Sequence, residues 1–149
     1  MQRLIIFIST VLVLTSFKGV NDNKGDDVVG VWLTGKQTAH VEIFKTGKYY
    51  YGKIVWLKRP NDEAGNPRVD EHNPDAKLKS NPLMSLLLLK GFTYDDKHLW
   101  NDGTIYDPEE GKTYSCKMWF EKGDTDNLKM RGFVGVSLLG RTDTWTRVK

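Results

Sequence analysis

Arg141, Asp143, Trp145 and Arg147 stand at alternate positions near the C-terminal end of this chain. In an extended strand, alternate side chains share one face, so two guanidiniums, a carboxylate and an indole project together. If that face lines the interior of a sheet, it places charge where charge is costly unless paired. Two readings stay open. The charged groups pair with one another or face solvent, or an arginine receives an anionic ligand through charge-assisted hydrogen bonds. Trp56, Trp100 and Tyr114 add aromatic surface suited to a small amphipathic molecule, and equally to an ordinary β core. On the ligand reading, the binding set is Trp56, Trp100, Tyr114, Arg141, Asp143 and Trp145.

Catalytic signatures are absent. There is no Gly-x-Ser-x-Gly elbow, no His-Glu-x-x-His, no phosphate loop and no dinucleotide fingerprint. His40, His72 and His98 are far apart and have no metal-ligand spacing. The oxygen-rich run Asp70-Glu71-His72-Asn73-Pro74-Asp75 lacks the alternation and central glycine of an EF-hand loop, so side-chain turns and capping are expected there. Cys116 is the single cysteine. It lies in an apolar row, where a thiol acts as a small inert hydrophobe, and it rules out an internal disulfide. The expectation is a non-enzyme with no cofactor and no metal.

The chain has 149 residues, with 22 Lys and Arg against 19 Asp and Glu. Arg3, the apolar run Leu4–Leu14 and the small residues Thr15-Ser16 follow the pattern of a signal peptide over residues 1–19. That run is too short to span a bilayer comfortably, so no membrane span is expected in the mature chain. Without Arg3 and Lys18 the balance falls to a single positive charge. No basic cluster marks a nucleic-acid surface. Residues 20–29 read as a flexible linker and 30–149 as one domain, periplasmic or secreted.

The elements that position these residues are strands. Two-residue alternation dominates. Ala39, Val41 and Ile43 oppose His40 and Glu42. Gly52, Ile54 and Trp56 oppose Tyr51, Lys53 and Val55. Tyr114, Cys116, Met118 and Phe120 oppose Ser115, Lys117 and Trp119. Leu86–Leu89 shows no alternation, as in a strand covered on both faces. Asp102-Gly103 reads as a bulge. Residues 58–82 hold every proline except Pro108 and read as one long loop, a lid over a site, with a helical turn beginning at Asn73-Pro74-Asp75. About eight strands with short connections imply an all-β, antiparallel barrel. Its interior is just wide enough for side chains or one small ligand. Trp32 in the opening strand and Arg147 in the last are the expected pair at the seam.

Gly30-Val31-Trp32, Gly52-Lys53-Ile54-Val55, Asn73-Pro74-Asp75, Gly103-Thr104-Ile105-Tyr106-Asp107-Pro108, Gly132-Phe133-Val134-Gly135 and Leu139-Gly140-Arg141-Thr142 with Trp145-Thr146-Arg147 carry a resemblance. In order and spacing they resemble the bacterial exported family known as domain of unknown function 2147, across roughly residues 30–149. The resemblance implies a lipocalin-like barrel and no established activity. In lipocalins an arginine packs over the tryptophan at the closed end, a place that Arg147 or Arg141 would take here.

These readings converge on an exported, non-enzymatic protein that holds a small amphipathic or anionic molecule in a barrel calyx. An alternative is an envelope interaction or structural module using an outer aromatic face, with Trp119 and Phe133 as anchors. A third is an envelope hydrolase, which would need a nucleophile and base brought together from distant positions.

Overall fold

The computed structural model describes residues 25–149. The expected leader, residues 1–19, lies outside them. Eight strands form one closed antiparallel barrel in sequential order. They are β1 (Gly30–Leu33), β2 (Ala39–Thr46), β3 (Tyr49–Leu57), β4 (Leu87–Tyr94), β5 (Leu99–Asp107), β6 (Lys112–Phe120), β7 (Asn127–Phe133) and β8 (Arg141–Arg147). β8 returns to β1 through Trp32 opposite Arg147 and Leu33 opposite Thr146. This short seam closes the sheet on itself.

One end of the barrel is packed solid. Trp32, Tyr50, Phe92, Trp100, Met118 and Leu128 are all fully buried there, and the Trp100 ring meets Phe120 edge-on at 5.4 Å. Two glycines make this packing possible. A Cβ on Gly103 would lie 2.3 Å from the Phe92 ring, and one on Gly52 would lie 2.8 Å from Leu89. Residues 25–29 correct the expected linker. Asp26–Val28 form a single 3-10 turn that stoppers this end. Val28 is fully buried, its carbonyl accepts from the Trp32 indole at 2.9 Å, and the Gly25 carbonyl accepts from Trp100 at 3.1 Å.

Bulges decide which side chains enter the barrel. Val41 pairs with Ile54, yet His40 pairs with Trp56, so β3 carries one extra residue there. Past such a bulge the alternation inverts. On β4, Gly52 faces Leu89 while Lys53 faces Leu87, so consecutive Leu88 and Leu89 are both buried. A register shift, not double coverage of the strand, explains the missing alternation in the leucine run. On β5 the shift falls between Trp100 and Gly103, with Asp102 at φ +60°.

The connection from β3 to β4 is folded. Asn61 bridges to Pro67 and Val69 to Pro82. Asp75 caps a 3-10 turn at Ala76–Leu78 by accepting from the Lys77 amide at 3.0 Å. Asp70, 1% exposed, pins the segment to the barrel: its carboxylate accepts from the Tyr106 hydroxyl and the Asn73 amide, both at 2.7 Å.

Candidate functional site

The end opposite the stopper is open. A cavity of ≈ 1690 Å³ runs from the rim into the barrel. Its floor is apolar, built from Ile54, Leu88, Cys116, Met130 and Trp145, all buried. Each comes from a different strand, because inward positions alternate along every strand of a closed barrel. Gly132 widens the wall. It lies opposite Arg141 and presents no side chain to the space between Ile105 and Tyr114.

Trp145 is held by its neighbour two residues earlier. Its indole N–H donates to Asp143 Oδ2 at 3.1 Å, while the Thr144 amide donates to Oδ1 at 2.9 Å. The loop between β1 and β2 crosses against this carboxylate at Gly35, where a Cβ would lie 1.9 Å from Oδ1. Asp143 is therefore locked in position and orients the indole over the floor. Among the described residues the Arg141 guanidinium makes no hydrogen bond or ion pair. Its charge is felt by the neighbouring Glu110 and Tyr114.

The rim is rich in charge of both signs, and the two signs are treated differently. Glu109 accepts from Lys36, Glu110 accepts from the Tyr114 hydroxyl, Asp107 accepts from the Glu109 amide and Asp62 from the Asn66 amide. Of the carboxylates lining the cavity, only Glu63 lacks a hydrogen bond or ion pair among the described residues. The guanidiniums of Arg59 and Arg141 and the ammonium of Lys58 line the same space without one. The hydrogen bond from Tyr114 is the main cause holding the Glu110 carboxyl below the usual range, so Glu110 stays ionised and the phenol stays a donor.

Four residues of the sequence-derived binding set thus meet at the cavity: Tyr114, Arg141, Asp143 and Trp145. Two do not. Trp56 was expected on the inner row with Gly52 and Ile54. The β3 bulge turns it to the outer face, where it is exposed and packs on the His40 ring at 4.4 Å. Trp100 is inside the barrel, but its indole belongs to the solid end, bonded to Gly25, and lines no part of the cavity. Arg147 and Trp32 sit together at the solid end, with the guanidinium carbon 4.2 Å from the ring centroid.

Sequence reasoning missed Lys58, Arg59 and Arg68, which line the mouth from the long segment. The adjacent Lys58-Arg59 at the end of an alternating strand was the available signal. Cys116 lines the floor as a free thiol that burial pushes up to about 12. Trp119 and Phe133, the expected outer anchors, are both half-buried. In the register of β6 and β7 they stand four residues apart, with Phe133 opposite Ser115 and Trp119 opposite Lys129, and they form no joint patch. Among the described residues no group of three or more His, Cys, Asp or Glu is placed to hold a metal ion, and no helix is long and apolar enough to cross a membrane.

The family described as "Uncharacterized protein conserved in bacteria (DUF2147)" matches residues 30–147. No curated protein matches the chain. Among solved structures, protein HP1028 from the human pathogen Helicobacter pylori, described as belonging to the lipocalin family, is similar in fold. Its TM-score is 0.67 at 22% sequence identity, covering 82% of this chain and 83% of that one.

Proposed function

We propose, from the premise that this chain belongs to the DUF2147 family and folds as a lipocalin-like barrel, that it is an exported, non-enzymatic binding protein. Its ligand is a small amphipathic molecule with an anionic head. The apolar part lies on Trp145, Met130, Leu88 and Ile54, and the head meets Arg141 with Arg59 and Lys58 at the rim. The observation that carries this reading is the asymmetry of the mouth. Nearly all its carboxylates are engaged within the protein, while the guanidiniums of Arg59 and Arg141 and the ammonium of Lys58 are left for something else. A guanidinium recognises a carboxylate or phosphate through paired donors in one plane, and an apolar cavity below it takes up the remainder of the molecule. Export rests on the signal-like residues 1–19 alone.

Anilinonaphthalene sulfonate, an anionic amphiphile, tests this on the full chain. Saturable binding with energy transfer from Trp145 is expected. Arg141→Ala should weaken it by roughly tenfold or more, the range of a lost charge-assisted hydrogen bond. Trp145→Phe should keep binding and lose most of the transfer. Binding that ignores both substitutions would place the probe outside the calyx and overturn the proposal.

A further inference from the structure

The connection between β7 and β8 exposes an unusual amount of apolar surface. Val134, Val136, Leu138 and Leu139 are 72%, 60%, 84% and 80% exposed. Four large apolar side chains within six residues are a concentrated patch, and such patches mark contact surfaces. The loop is also held in a way that keeps them outward. Arg131 donates from Nε to the Ser137 carbonyl and from Nη2 to the Leu138 carbonyl at 3.0 Å, and Lys117 reaches Ser137 Oγ at 3.4 Å. Arg131 therefore grips the backbone of the loop from beneath and Lys117 holds its serine hydroxyl, while the apolar side chains point away.

We infer that this loop docks the protein onto an anionic lipid bilayer. The charge pattern selects that partner. Arg131 and Lys117 stand opposite each other directly beneath the loop, and from Asn127 to Thr142 the chain has no carboxylate. Apolar tips with a layer of cations behind them match the depth profile of a bilayer surface. The tips enter the acyl boundary while the cations stay level with the phosphates. Val134 and Leu139 also border the calyx, so the docked loop lies at one edge of the open mouth. The contact needs no calyx ligand and stands apart from the binding proposal.

A fluorophore on the loop reports the contact itself, independently of the apolar residues 1–19. Leu138→Cys in the full chain gives one reactive site, because Cys116 is buried, and takes a nitrobenzoxadiazole label. Vesicles of phosphatidylglycerol and phosphatidylcholine in equal parts should shift its emission to the blue, and phosphatidylcholine alone should do so far less. Adding Lys117→Glu should reverse most of the shift. No shift with anionic vesicles overturns the proposal. So does an equal shift with neutral ones, or a concentration-dependent shift without lipid, which would mean that a second copy covers the loop.

Discussion

The Arg147 guanidinium lies over the Trp32 indole with its central carbon 4.2 Å from the ring centroid, and it donates at the same time to the carbonyls of Asp27, Val29 and Thr125. One side chain thereby covers the indole, ties down the turn before β1 and joins the first strand to the last. Arg147→Ala removes the cation–π contact and leaves three carbonyls without their donor. The expected cost is about 2 kcal/mol, read as a lower urea midpoint. Lysine should recover little, since it has no planar fork to serve three carbonyls.

Asp26 and Tyr50 make stability at the solid end sensitive to pH in both directions. Burial raises the Asp26 pKa, but hydrogen bonds from Lys45 and Tyr50 outweigh it and the net shift is downward. Its stabilising share is present above the unfolded carboxylate value and is lost as pH falls through the lower folded one. Tyr50, raised to about 12 by burial and by Asp26, acts oppositely. Between its ordinary value of 10.0 and about 12, the unfolded chain loses the phenol proton first, so stability falls as pH rises. Melting temperature against pH should lose part of its acid slope in Asp26→Asn and part of its alkaline slope in Tyr50→Phe.

Gly103→Ala forces a methyl into the Phe92 ring. Overpacking of this kind costs about 1–3 kcal/mol. Thermal unfolding should show the loss, and Gly103→Ala combined with Phe92→Leu should recover part of it.

Cys116 should resist thiol reagents in the folded protein and react fully in denaturant. Burial disfavours its thiolate, and the thiolate is the reactive form. A fast native reaction would mean that the calyx floor is open to the reagent.

The barrel was legible because an inside-out alternation is written into most of the strands, and because Trp32 and Arg147 mark its seam. Tyr114, Arg141, Asp143 and Trp145 were legible for the same reason, since β6, β7 and β8 pair without a slip through that region. Trp56 was not. One extra residue in β3 inverts its facing, and nothing local in the sequence announces a bulge there. Trp100 was assigned to the interior correctly and to the wrong end, because alternation reports facing and says nothing of depth. The engaged state of the rim carboxylates was beyond reach. Lys36 and Glu109 meet across 73 residues, a pairing set by how the β1–β2 and β5–β6 connections converge on the mouth.

Whether the calyx carries a molecule is read from native mass spectrometry of the full-length gene product purified from its own cells. An added mass lost on denaturation is expected, an acidic amphiphile on isolation, and a much reduced fraction of loaded protein in Arg141→Ala. A bare polypeptide mass in the wild type, together with no saturable uptake of added anionic amphiphiles, would contradict binding in the calyx.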